Sequence, residues 1–263
     1  MVFITGDIHG DPQRFNSCIF PEQKEMTKDD YVIICGDFGL VWNIVKENNT
    51  ERYWLNWLED KNFTTLFCDG NHENFDRLDA YPVKEWHGGK VHFIRPHVIH
   101  LMRGEIYDID GKSCFVFGGA RSHDINGAAS RAELAENYAA GIIDIDDPEF
   151  KDKMFRMDLS GSCYRVRNVT WWAQEDPSAS EIKHGFETLK QHQNKVDFIF
   201  THEGPASDMK MINPYFEIDP LEKMLEQIKQ TVEYKHWFFG HYHFTKQITD
   251  KDAVLYEQII HIN

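Results

Sequence analysis

Eight side chains in this sequence are of the types that bind metal ions or move protons, and they fall into five short motifs. "TGDIHG" carries Asp7 and His9, "CGDFG" carries Asp37, and "DGNHEN" carries Asn71 and His72. "FTHEGP" carries His202, and "FGHYH" carries His241 and His243. Aspartate, asparagine and histidine supply oxygen and nitrogen donors that suit Mn, Fe, Zn, Ni or Co. Six or seven such ligands exceed the four that a tetrahedral zinc needs. They suit two ions sharing a bridging carboxylate, which can hold a hydroxide and clamp the oxygens of a phosphoryl group during in-line displacement.

The elements that must position these residues are legible around them. "VFIT" (2–5), "YVIIC" (31–35) and "TTLFC" (64–68) are continuous apolar runs, each followed by a Gly-Asp or Asp-Gly pair. Polar stretches with helical spacing separate them, at 11–20 and at 48–60, where Trp54, Leu55, Trp57 and Leu58 share a side. Strand alternating with helix predicts a parallel α/β arrangement. In such sheets ligands bind beyond the carboxyl ends of the strands, where all five motifs lie. From about residue 91 the rhythm changes to short strands ("VHFI", "VIHLM", "EIYDI", "SCFVF"), with an Asp-Gly hairpin signal, predicting an antiparallel meander. "DFIFTH" and "HWFFGH" resume the strand pattern. A helix is expected over about 219–231, with Asp219 as its cap and Pro220 in its first turn.

Taken in order, Asp-x-His, Gly-Asp, Gly-Asn-His-Glu, a lone His after a strand and Gly-His-x-His resemble the calcineurin-like metallophosphoesterase superfamily. The resemblance covers the chain from Asp7 to His243, at the motifs. It implies a four-layer αββα sandwich of two mixed sheets flanked by helices. It also implies two divalent transition metal ions, with Mn favoured. Asp7, His9 and His243 would hold one ion, Asn71, His202 and His241 the other, and Asp37 would bridge. A metal-bridging hydroxide would attack phosphorus. His72 would stay unbound, stabilise the charge on the phosphate and protonate the leaving oxygen. The chain departs from the protein Ser/Thr phosphatase branch, which has Asp-Arg-Gly after the second motif where "FGLVWN" follows Asp37 here. Glu73 and Asp76 are acids close to His72 in sequence.

The chain reads as one domain over 1–263 with an insertion at about 122–190, most polar and irregular over 125–170, with a helical patch at "ASRAELAENYAA". "GGARSHD" (118–124) follows a strand and, with "WWAQEDPS" (171–178), is similar to a subgroup of bacterial and phage metallophosphoesterases. In that reading it forms a substrate-facing wall, with Arg121 and Ser122 as candidate substrate contacts, because a guanidinium fork matches phosphate oxygens. Arg131, Arg156, Arg165 and Arg167 are further insertion cations, balanced by many insertion acids.

With 28 Lys and Arg against 43 Asp and Glu, the net charge is −15. That disfavours nucleic acid as a partner, since backbone binding needs a basic surface, and leaves a small phosphorylated substrate. The five cysteines form no CxxC pair, and the three in or beside apolar runs, Cys35, Cys68 and Cys114, read as reduced core residues. No apolar run approaches the roughly 20 residues of a membrane span. A cytoplasmic enzyme is the expectation, acting on a small phosphodiester or nucleotide under a roof made by the insertion. The alternatives are a nuclease and a metal-dependent binding module without turnover.

Overall fold

The computed structural model describes residues 1–127, 133 and 137–262. The first sheet contains β1 (Val2–Thr5), β2 (Tyr31–Cys35), β3 (Thr64–Cys68), β4 (Val83–Trp86), β5 (Gly89–Arg95), β6 (Val98–Leu101) and, from the far end of the chain, β15 (Ile260–Ile262). Their order is β15-β1-β2-β3-β6-β5-β4, with β1, β2, β3 and β6 parallel. The second sheet contains β7 (Glu105–Ile109), β8 (Lys112–Phe117), β11 (Phe198–Thr201), β12 (His236–Phe239), β13 (Lys246–Gln247) and β14 (Asp252–Val254). Its order is β13-β14-β12-β11-β8-β7, with β8, β11, β12 and β14 parallel.

Strands β1, β2, β3 and β11 are largely apolar because both of their faces are buried. Val2, Ile4, Ile33 and Leu66 meet Val116, Phe198, Phe200 and Phe238 in a core between the sheets. The alternate residues Phe3, Val32, Ile34 and Phe67 face outward against Leu55 and Leu58. These belong to helix α1 (Asn49–Glu59), which a reciprocal capping box of Asn48 and Glu51 starts. On the second sheet Phe115, Ile199, Trp237 and Phe239 pack against Leu189, Leu221, Leu225 and Ile228. Three cores separating two sheets and two helical layers make the expected four-layer αββα sandwich.

The expected meander is instead two hairpins on different sheets: β5–β6 lies in the first and β7–β8 in the second. Asp110 and Gly111 both take positive φ in the tight turn between β7 and β8, as their dipeptide signals. Both hairpins bury one face in the core between the sheets. Local pairing was therefore readable from alternation, whereas the sheet to which each pair belongs was not. The stretch 11–20 folds as a 3-10 turn (Pro12–Phe15) rather than a longer helix.

Within 122–190, a short ladder of β9 (Ile142–Ile143) and β10 (Arg165–Val166) stands beside α3 (Phe150–Ser160), which has no buried residue. The helical patch at 129–140 falls largely outside the described residues. The later helix α4 (Ala179–Gln191) lays Ile182, Phe186 and Leu189 on the second sheet and so belongs to the sandwich. Beyond α2 (Phe75–Leu78) and α5 (Ala206–Ile212), α6 (Pro220–Thr231) starts where expected, with Asp219 and Glu222 forming its capping box. Among the described residues no helix is long and apolar enough to cross a membrane.

Candidate metal centre

The five motifs converge because parallel strands put their carboxyl ends on one edge. Asp7 follows β1, Asp37 follows β2, Asn71 and His72 follow β3, His202 follows β11, and His241 and His243 follow β12. Four of these residues adopt left-handed backbone angles: His9 (φ 45°), Asp37 (φ 47°), His241 (φ 69°) and His243 (φ 51°). Such angles cost energy in non-glycine residues and gather where function requires a side chain to be aimed. Two glycines allow the loops to close up. A Cβ on Gly70 would stand 2.1 Å from Asp37 Oδ1, and one on Gly240 2.2 Å from Asp7 Oδ1.

Asp37 sits between two groups of ligands. Its Oδ1 is 3.3 Å from His202 Nε2 and accepts the His72 backbone N–H at 2.8 Å; its Oδ2 is 3.8 Å from His9 Nδ1. On one side, Asp7 Oδ2 has His243 Nε2 at 3.3 Å and His9 Nε2 at 3.7 Å, and the two imidazole nitrogens are 2.8 Å apart. On the other, His202 Nδ1 donates to the Cys35 carbonyl at 2.8 Å, which turns its Nε2 toward Asp37 and toward Asn71 Oδ1 at 3.2 Å. His241 completes a group with Asp37 and His202.

Electrostatics agree with a cation-binding role. Burial opposes ionisation of Asp37, but His202, His72 and His9 together outweigh it and hold the carboxyl well below the usual range. Burial alone would lower the His202 pKa; Asp37 and Asp7 reverse that and raise it. Two fully buried carboxylates thus draw positive charge to this spot. Burial, with His202 and His123 nearby, keeps His241 neutral, the form that ligates. Asp7 Oδ2 is buried without a hydrogen bond, an acceptor left for something else. Three overlapping sets, Asp7–His9–His243, His9–Asp37–His72 and Asp37–His202–His241, each bring their ligand atoms within 4.8 Å of one another. The donor chemistry, the orphaned carboxylate oxygen and these clusters fit divalent ions.

The chain's match to known proteins agrees. The family model for calcineurin-like phosphoesterases matches residues 1–244. The protein belongs to the calcineurin-like phosphoesterase family. It is also 24% identical over 244 residues to lariat debranching enzyme A of Xenopus laevis. The match covers 88% of this chain but 37% of that protein, so the chain spans well under half the length of that relative. Proteins of this family are phosphoesterases that use divalent metal ions, and the centre described above has residue groups able to hold a metal.

Other expected residues have partners of their own. Arg121 donates to Asp176 Oδ2 at 2.9 Å and lies 3.7 Å over the Tyr138 ring, in the wall of a 460 Å³ cavity shared with Ser122, His123, Glu203 and Asp219. Ser122 is buried, with its hydroxyl between Asn71 and Glu175. Arg156, Arg165 and Arg167 pair with Glu149, Asp124 and Asp144, all insertion acids; Arg131 lies outside the described residues. The ring of His72 packs 5.0 Å from His9 and 5.8 Å from Trp42. Neither neighbouring acid is spent on that ring: Glu73 accepts the Phe38 backbone N–H at 2.7 Å and Asp76 the Trp172 indole N–H at 2.8 Å. Sequence reading missed the contact of His123 Nε2 with His241 Nε2 at 2.8 Å and the burial of Glu175 behind Ser122. The available signal was that "GGARSH" ends a strand with glycines, as the ligand motifs do.

Proposed function

We propose that this phosphoesterase hydrolyses a small phosphodiester or nucleotide in a reducing, cytoplasmic setting. Asp7, His9 and His243 would hold one divalent ion, Asn71, His202 and His241 a second, and Asp37 would reach both. The observation that carries this reading is the span of Asp37, with one oxygen 3.3 Å from His202 and the other 3.8 Å from His9. When bound, such an ion pair lowers the pKa of a water to make a nucleophile and neutralises the phosphoryl oxygens. His72 is held by its backbone N–H on Asp37 and by its packing on Trp42 and His9. Burial lowers its pKa. An arriving phosphate raises it again, so a proton is taken up where it can be passed to the leaving oxygen. The 460 Å³ cavity beside His123 has room for the part of a substrate beyond its phosphate. The five free cysteines support a reducing compartment.

A nucleic-acid substrate is the second reading, favoured by a relative named for lariat debranching. The net charge of −15 weighs against it; retention of single-stranded RNA in a salt-dependent gel shift would reverse that weighting. For the leading reading, the assay compares bis-p-nitrophenyl phosphate with p-nitrophenyl phosphate under Mn, Ni and Zn supplementation. His72→Asn is expected to lower turnover by about 10²–10⁴-fold while metal content stays at the wild-type level. Wild-type protein loaded with Mn but inert on every ester would replace this reading with that of a binding module.

A further inference from the structure

Two of the candidate ligands are gripped from one loop that is itself outside the ligand set. Asn71 Nδ2 donates to Ser122 Oγ at 3.2 Å, and Ser122 Oγ donates to Glu175 Oε2 at 2.5 Å. The Ser122 backbone N–H adds a second bond to Glu175, at 3.0 Å to Oε1. One residue further on, His123 Nε2 stands 2.8 Å from His241 Nε2. The loop leaves β8, whose parallel neighbour β11 is followed by His202. It therefore emerges beside the centre by sheet order.

The direction of these bonds decides what the ligands present. A carboxylate only accepts, so the Ser122 hydroxyl donates to Glu175 and offers a lone pair to Asn71. Asn71 must then turn its NH₂ to Ser122 and its carbonyl oxygen, a metal donor, toward His202. A flipped amide would lose the Ser122 bond and aim a non-ligating NH₂ inward. The same logic holds for His241. Its Nε2 is engaged by His123, which leaves Nδ1 as the nitrogen available to the centre. With the proton on Nε2, Nδ1 keeps its lone pair.

We propose that the turn Gly118–His123 is a positioning clasp on one half of the metal centre, with Ser122 fixing the Asn71 amide, His123 fixing the His241 ring, and Glu175 anchoring Ser122. This rests on the two-ion reading above. Outer partners of this kind are worth about 10–100-fold in metal affinity. The clasp further ties metal loading to the "WWAQED" segment, whose Trp172 and Glu175 are buried in the sandwich wall.

The test is Mn²⁺ titration of metal-stripped full-length protein at pH 8, read by free-Mn electron spin resonance and by bound metal per chain, with thermal melts alongside. Wild type should bind two ions. Ser122→Ala and His123→Ala should each bind one ion as before and the other about 10–100-fold more weakly. Glu175→Gln has nearly the same shape, yet it should weaken the same ion, because its NH₂ can donate to Ser122 and reverse that hydroxyl. His123→Gln, which can still accept from His241, should recover most of the loss. A purely structural role would not separate His123→Ala from His123→Gln. If the alanine variants fail to fold, the Glu175→Gln and His123→Gln pair decides alone. Two ions bound with wild-type affinity by Glu175→Gln and by every folded alanine variant would overturn the clasp and leave the two-ion reading standing. A wild type that binds no ion would overturn both.

Discussion

The two halves of the centre use similar donors but stand in different surroundings. On the open half, the His9 and His243 side chains are 31% and 53% exposed, and the nitrogens of this pair face each other. Hydrogen-bond support from outside the ligand set reaches the backbone there: Arg14 donates to the carbonyls of Asp7 at 2.7 Å and Tyr256 at 2.6 Å. On the walled half, His202 is fully buried and His241 nearly so. There Cys35, Ser122 and His123 each fix one ligand side chain. Similar ligand types can thus be held by burial and outer hydrogen bonds or by loop geometry and ring packing. The first kind of site is built into the fold, whereas the second can be altered at little cost to it.

The largest effect that separates the halves should be on stability without metal. His202→Ala removes a buried ring that bonds Cys35 and faces Asp37, and leaves that carboxylate buried without its nearest cation. The expected loss is about 3–5 kcal/mol. His243→Ala removes a half-exposed ring stacked on Tyr256, at a cost below about 1 kcal/mol. Urea denaturation of metal-free protein measures both, and equal losses would erase the distinction drawn here.

The walled half also rests on a buried acid, which gives it a pH signature of its own. Burial pushes the Glu175 carboxyl up to about 7, although Ser122 donates to both of its oxygens. A carboxyl raised in the folded state binds its proton more tightly there than in the unfolded chain. Its contribution is fully present below pH about 4.5 and is lost as pH rises through about 7. Glu175→Gln cannot lose a proton. Relative to that variant, wild type should therefore weaken by an amount on the order of 3 kcal/mol between pH 4.5 and 8. Denaturation midpoints at four or five pH values would measure the difference, and parallel curves would remove Glu175 from the account.

The ligand motifs of both halves were legible in the sequence, whereas the outer partners of the walled half were not. β1, β2 and β3 have the expected bounds because strands buried on both faces are unbroken apolar runs, and their ends are marked by glycine beside aspartate. His9 and His243 declare themselves by spacing within a motif. The outer partners of the walled half have no such local mark. Ser122 and Glu175 are 53 positions apart, and His123 and His241 are 118 apart. His123 and His241 meet because β8 and β12 flank β11 in the second sheet, and Glu175 arrives on the 3-10 turn Ala173–Glu175; neither placement is written in any one segment. Arg121 was legible as a guanidinium near the site, but its pairing with Asp176 depends on where the insertion returns to the sandwich.

The smallest effect is a change of sign. His243 has φ 51°, a backbone angle that alanine tolerates poorly and glycine readily. Once the imidazole is gone, His243→Gly should be about 1 kcal/mol more stable than His243→Ala. His202 is not among the residues with left-handed angles. There glycine carries only its entropic penalty, so His202→Gly should be about 0.5–1 kcal/mol less stable than His202→Ala. Each comparison deletes the same ring twice, so metal binding, stacking and lost hydrogen bonds cancel. What remains is the backbone, twisted to aim a ligand at His243 and relaxed at His202, where burial does the aiming. Urea melts of the four metal-free variants read both differences, and an equal sign at the two positions would mean that the open half is not held by its loop geometry.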